Sequence, residues 1–297
     1  MKRFAPIIII LTLLSTNYTI AQIEIFSFEA TADMRNYAEP EYQNSQYFYG
    51  TCEAIKKLGQ GKFMISPGDI DPPWHVYNTI KSVIGEDYPW YPVVGNHESE
   101  TDEDMEWLRN FGKDSLKNII NRGPKNCEET TYSFDFENVH FAVINQYFND
   151  TSDVGTNGDV RDSVYYWLKN DLQNSDKQIK LVIGHEPIVS LPDHDNGRHR
   201  HKGDNLDAHA ETSHRFQMLL RQENVLAYIC GHTHNFSFAK INGVNQIDVG
   251  HSRGVGDKGA PSTFLKFHVF KDYLTFDVYR DDSNGGEYKL EHSFELK

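Results

Sequence analysis

Cysteine is scarce in this chain: only Cys52, Cys127 and Cys230 occur in 297 residues. That excludes a disulfide-built scaffold and a zinc site made of four thiolates. Cys52 and Cys127 could pair in an oxidising compartment, whereas Cys230 ends an apolar run and reads as a packed thiol. Positive charge is also short, with 29 Lys and Arg against 43 Asp and Glu and a formal net charge of −14. Such a surface argues against nucleic acid or an anionic membrane as the main partner. There is no internal repeat, low-complexity tract or obvious linker. No apolar run reaches the roughly 20 residues that cross a bilayer.

The longest apolar run, residues 4–14, follows Met1-Lys2-Arg3 and precedes the small-residue site Thr19-Ile20-Ala21. A short basic start, an apolar centre and such an end describe a secretory signal peptide with cleavage after Ala21. The run is too short for a membrane anchor, and no cysteine sits where a lipoprotein would need one. The expectation is a leader over 1–21 and one domain over 22–297, secreted or periplasmic. Losing Lys2 and Arg3 makes that domain more acidic still. An acidic protein that binds an anion needs local positive charge, and bound metal ions can supply it.

Hydrophobic periodicity predicts strands over 23–30, 62–66 and 91–94, with helices over about 45–58, 72–84 and from Thr101 onward. Residues 131–136 and 139–145 read as a hairpin, Asp159 as the cap of the next helix, and 179–183 as a buried strand. A helix over about 209–222 leads into a strand over 225–230. The remainder reads as five antiparallel strands, with Asn242-Gly243 as a hairpin turn. Strands alternating with helices, then a run of strands, predict an α/β protein whose two-sheet sandwich is flanked by helices.

Five of these strands stop at short polar islands: Asp33, Gly68-Asp69, Gly95-Asn96-His97, Gly184-His185 and Gly231-His232-Thr233-His234. Ligands in open α/β sheets bind beyond the carboxyl ends of strands, where islands distant in sequence can meet. Glycine before four of them permits sharp turns and close approach. Asp, Asn and His without thiolate suit Zn, Mn or Fe. A carboxylate among them can bridge two cations about 3.5–4 Å apart. One island alone is an ordinary turn with a polar tip; five in succession are not.

The ordered set D…GD…GNH(E)…GH…GHxH resembles the calcineurin-like metallophosphoesterase superfamily, which includes the purple acid phosphatases. The resemblance covers about 23–236. It implies a four-layer α/β/β/α fold and two metal ions, of Mn, Zn or Fe. It implies that Asp69 bridges them, Asp33 and His234 complete the first site, and Asn96, His185 and His232 hold the second. His97 would then act as general acid while metal-activated water attacks a small phosphate ester.

The chain departs from that pattern in two places. Arg35 stands where the family has a histidine two residues after the first aspartate, and a guanidinium cannot coordinate a metal. The first site is then weakened, or the protein works with one metal; Arg35 either reaches the substrate phosphate or forms an ion pair. A catalytically weakened, metal-poor binding domain is the alternative to an enzyme, and a cupin-like metal binder is disfavoured because the Gly-Asn-His island has no use there. The basic loop over 192–207, with Arg200 and His201, is either a solvated surface or the rim that receives an anionic substrate. Trp90 is the tryptophan best placed to line the pocket, while His140, His268 and His292 read as packing or surface residues.

The second departure is Pro72, which occupies the place of the tyrosine ligand of purple acid phosphatases. Without a phenolate, a ferric charge-transfer colour has no source. The purified protein is therefore expected to be colourless, and a violet absorption band would contradict this.

Overall fold

In a computed structural model, residues 23–282 and 285–297 are described; the expected leader lies outside them. The chain runs β1 (Phe26–Ala30), α1 (Phe48–Leu58), β2 (Met64–Ser66), α2 (Pro73–Val83), β3 (Trp90–Pro92), the short α3 (Asn96–Ser99) and α4 (Asp102–Asp114). It continues with β4 (Ile119–Arg122), β5 (Tyr132–Phe136), β6 (Val139–Val143), α5 (Asp162–Asn174), β7 (Ile179–Ile183), α6 (Ala210–Gln222) and β8 (Ala227–Cys230). It ends with β9 (Phe236–Ile241), β10 (Val244–Val249), β11 (Thr263–Val269), β12 (Leu274–Arg280) and β13 (Lys289–Leu296).

Two mixed sheets result, ordered β13-β12-β11-β1-β2-β3 and β4-β5-β6-β7-β8-β10-β9. β1, β2 and β3 are parallel to one another, as are β6, β7 and β8. Three apolar interfaces separate four layers, as the sandwich expectation requires. Between the sheets, Phe28 stacks on Phe63 and Phe267, with ring centroids 5.2 and 4.7 Å apart, and meets the edge of Phe141. Phe48, Cys52 and Ile55 of α1, with α2 and α4, cover the outer face of the first sheet. Val164, Leu168 and Leu172 of α5, with Phe216, Leu219 and Leu220 of α6, cover the second.

Local signals act as their chemistry dictates. Thr101 caps α4 by accepting from the Asp104 N–H at 3.2 Å. Asn242 and Gly243 both have positive φ, 47° and 94°, as a tight hairpin requires. Several expectations need correction. α5 begins at Asp162 with Arg161 at its cap, because Asp159 accepts from Thr212 Oγ1 and the Val160 N–H instead. β4, unassigned from sequence, is an edge strand fixed by pairing with β5, and Ile120 within it is 56% exposed. Cys52 and Cys127 are free thiols buried on opposite helical layers, so the possible disulfide does not form.

Trp90 does not line the site. Side chains alternate along a strand, so Tyr91 faces the inter-sheet core and Trp90 the helices, where its indole donates to Ser66 Oγ at 2.9 Å. His140 is buried as expected, but as part of a charge network, 2.8 Å from both Asp135 Oδ1 and Asp171 Oδ2. Burial works against its protonation, and the two carboxylates outweigh it and raise its pKa above the ordinary 6.5. A raised pKa stabilises the fold below the unfolded value, and that contribution is lost as pH rises through the folded value. The stability gap between wild type and His140→Gln, read from urea denaturation, should be full in mildly acidic buffer and shrink toward alkaline pH.

Candidate functional site

The five islands meet where the two sheets share a rim. Asp33, Asp69 and Asn96 follow β1, β2 and β3 of the first sheet, and His185, His232 and His234 follow β7 and β8 of the second. The turns are made by the functional residues themselves. Asp33, Asp69, His232 and His234 all have φ between 53° and 72°, a region that ordinary side chains enter at a cost of about 1–2 kcal/mol. Glycine contributes mostly room. A Cβ on Gly95 would lie 2.4 Å from the Asp69 Oδ1, and one on Gly68 would lie 2.4 Å from the His185 Nδ1. Of the four island glycines only Gly68 turns the chain through positive φ.

The hydrogen bonds around each ring fix its tautomer. His185 Nδ1 lies 2.7 Å from the Pro67 carbonyl, so it carries the proton and Nε2 keeps a lone pair. His232 Nε2 lies 3.2 Å from the Asp204 carbonyl, which leaves Nδ1 bare. These two bare nitrogens are 3.1 Å apart, and each is 3.2 Å from Asn96 Oδ1. His185 Nε2 is also 3.4 Å from Asp69 Oδ1. On the other side, His234 Nδ1 is 2.9 Å from Asp257 Oδ2, and its Nε2 faces Asp33 Oδ1 at 3.7 Å. Asp33 is wholly buried; Oδ2 accepts from the His232 N–H at 2.9 Å, and Oδ1 has no hydrogen-bond partner among the described residues. One ligand atom each from Asp33, Asp69 and His234 lie within 4.8 Å of one another.

Lone pairs that converge with no proton between them repel, and a cation is what they fit. The electrostatics agree. Burial lowers the pKa of His185; burial, then His185 and His201, bring His232 to about 3; burial also takes His234 well down. All three rings are therefore neutral, the form that ligates metal. Burial opposes ionisation of Asp69, but in acid, where neighbouring rings gain protons, His185, His97 and His232 draw it down to about 2. Burial and then Asp69 raise Asp33 well above its usual range. A cation between those carboxylates would reverse that preference.

His97 stands at the start of α3, with Nε2 3.6 Å from Asp69 Oδ2 and Nδ1 3.1 Å from Glu100 Oε1. Arg35 is engaged by Asp71, Nε to Oδ2 at 3.2 Å, and burial followed by Asp69 pushes Asp71 up to about 6. The basic loop does reach the site. Arg200 Nη1 contacts His234 Nδ1, Arg198 Nη2 pairs with Asp257 at 2.9 Å, and the His201 ring centroid is 4.1 Å from that of His232.

Sequence reasoning missed the groups that hold these residues in place. Glu98, fully buried, accepts from three backbone N–H groups: Gly95 at 2.6 Å and Asp69 at 3.1 Å through Oε2, and Ile70 at 2.6 Å through Oε1. One carboxyl thereby ties the second island to the third. Asp257 orients His234, and Arg253 Nε donates to the Asp33 carbonyl at 2.7 Å. Glu98 did carry a signal, since it directly follows Asn96-His97; Asp257 and Arg253 carried none.

Residues 31–236 match the family model described as calcineurin-like phosphoesterase. Over 221 residues the chain is 26% identical to tartrate-resistant acid phosphatase type 5 of Oryctolagus cuniculus, covering 68% of this chain and 60% of that protein. The Rattus norvegicus protein of the same name is 34% identical over 121 residues, 40% of this chain and 32% of that one. The chain thus spans less than two thirds of the length of these relatives. Among solved structures, PhoD matches with a TM-score of 0.63 at 10% identity, covering 93% of this chain and 72% of PhoD. The Plasmodium inner-membrane-complex anchor GAP50 matches with a TM-score of 0.59 at 16% identity, covering 91% and 88%. At these identities the structural likenesses establish the fold alone. Taken with the convergence of the five islands, the match over 31–236 shows that the chain belongs to the calcineurin-like phosphoesterase family.

Proposed function

We propose that the chain is an exported, metal-dependent hydrolase of small phosphate esters. The observation that carries this is the set of bare, mutually facing lone pairs on His185, His232, Asn96 and Asp69, beside the unpartnered Asp33 Oδ1. Asp33, His234 and Asp69 would hold one cation, and Asp69, Asn96, His185 and His232 a second, with Asp69 shared. Bound cations supply positive charge against the phosphoryl oxygens and make a water molecule acidic near neutral pH. Export is supported by the leader pattern in residues 1–21.

The protein's own groups supply position and a proton. Asp69 is pinned by the His97 N–H on Oδ1 at 3.2 Å and by Glu98 on its own N–H. Asp257 keeps the His234 ring turned so that Nε2 faces Asp33. His97 lies within reach of Asp69 yet remains partly open, and Glu100 beside Nδ1 leaves Nε2 to deliver a proton to the departing oxygen. Arg200 and His201, on the rim, are placed to meet the phosphoryl oxygens. Arg35 is assigned to the Asp71 ion pair, which steadies the first island.

A second reading has its own support: Arg35 removes a ligand from the first site, and one structural neighbour is described as an anchor. A binding domain that retains the fold would bind little metal and turn over no ester. Metal analysis combined with turnover of a chromogenic ester in added Mn or Zn separates the two.

Asp69→Asn should lose both bound metal and activity. His97→Ala should keep its metal content while kcat falls by about 10²- to 10⁴-fold, the usual worth of a general acid; normal turnover in that variant removes the acid assignment. Chelation should also lower thermal stability, because ligands that bind only the native state stabilise it by about 2.7 kcal/mol at a hundred times Kd. A melting temperature unmoved by chelator and by added Mn would count against a metal centre.

A further inference from the structure

Beside the Asn96–His232 edge of the site opens a cleft of about 370 Å³, whose walls include Asn157, Glu186, His201, Asp204 and Asn205. Polar side chains make up most of its lining, beside Ala208 and the ring of Tyr147. Nothing in the chemistry proposed above uses Glu186, yet the fold fixes it with care. Its N–H donates to Gln146 Oε1 at 2.7 Å, and its carbonyl accepts from the Tyr228 hydroxyl at 2.6 Å. The Tyr147 hydroxyl donates to Oε1 at 2.8 Å. Gly158 closes one wall, where a Cβ would fall 1.9 Å from Oε1 and evict the carboxyl.

Glu186 is 7% exposed, and its Oε2, which keeps some contact with solvent, has no hydrogen-bond partner among the described residues. An acceptor that faces the cleft can exchange water for a donor brought by a ligand. The cleft adjoins the site at Asn96 and His232, so a substituent that leaves the phosphate on that side enters it. A second phosphate would bring more acceptors to a wall that already holds the carboxyls of Glu186 and Asp204. An aryl group would bring Glu186 no hydrogen-bond donor.

We infer that Glu186 reads the alcohol side of the substrate, accepting a hydrogen bond from a free hydroxyl, so that the substrates are phosphate esters of polyhydroxy alcohols. This rests on the phosphoesterase reading. It makes Glu186 a specificity residue, with no part in bond breaking.

The test compares kcat/KM for glycerol 2-phosphate and p-nitrophenyl phosphate in Mn-loaded wild type, Glu186→Ala and Glu186→Gln. Removing the acceptor should lower the ratio of glycerol 2-phosphate to p-nitrophenyl phosphate about tenfold, through KM, as expected when a bound hydroxyl loses its partner. Glutamine, which keeps an acceptor oxygen and the side-chain shape, should restore much of that ratio. An unchanged ratio, or a parallel fall for both esters, overturns the inference even if hydrolysis itself is sound. If wild type hydrolyses neither ester, the phosphoesterase reading falls instead. Calorimetric binding of glycerol 2-phosphate then decides the role of Glu186, which stands if Glu186→Ala abolishes the binding and is lost if it does not.

Discussion

Several lone pairs with no hydrogen between them are held together at the rim of two sheets, and much of the structure follows from that constraint. Oxygen and nitrogen acceptors do not collect of their own accord in a buried place. Here they are forced together by strands that end at one rim, by left-handed backbone at Asp33, Asp69, His232 and His234, and by glycines that leave no Cβ in the way. Backbone strain of about 1–2 kcal/mol per such residue persists only where its surroundings over-determine it. Those surroundings are the three apolar interfaces. An aromatic lattice around Phe28, Phe63 and Phe141 fixes the two sheets against each other, and so fixes the distance between their rims.

Around the metal-facing groups lies a second set of charges whose work is orientation. Glu98 draws three backbone N–H groups onto one carboxyl, holding the second and third islands in mutual register. Burial raises its pKa, with Asp69 and Asp71 adding to the effect, which shows how much negative potential collects here. Asp257 is the counterpart on the far side. Burial opposes its ionisation, but hydrogen bonds from His234 and Arg198 hold its carboxyl below the ordinary range. Arg198 and Arg200 thus belong to the site's own frame as well as to its rim, and the rim loop is tied to His234 rather than hanging free in solvent. The Arg35–Asp71 pair uses the same logic: a residue that cannot coordinate still neutralises a carboxylate crowded by Asp69.

The two flanks of the site differ in character. Toward Asp257 the surroundings are basic, with Arg198, Arg200 and Arg253 all close to the first set of ligands. Toward Glu186 they carry the carboxyls of Glu186 and Asp204 and the amides of Asn157 and Asn205, opening into a polar cleft. An anionic group therefore finds its attraction at the first flank and at the metal-facing centre, and the second flank suits a neutral, hydrogen-bonding group.

The sequence by itself determined the sandwich, the strands that carry the site and the identity of the residues that converge. Each of those is written in local terms: the period of apolar residues, a glycine at a strand end, an imidazole or carboxylate immediately after. It left the basic loop as either solvated surface or rim, and contacts with His234 and Asp257 decided for the rim. Tertiary structure decided what depends on partners far along the chain. Trp90 went to the helices because strand alternation gave Tyr91 the inner face, and β4 exists because β5 offered it an edge. Asp159 gave up its cap for Thr212, and Cys52 and Cys127 were sent to opposite layers. Glu98, Asp257 and Glu186 owe their roles to bonds with groups up to 59 residues away, and no local pattern records such a bond. Local chemistry can say which groups will stand at a strand's end; only the packing of two sheets says what they will face.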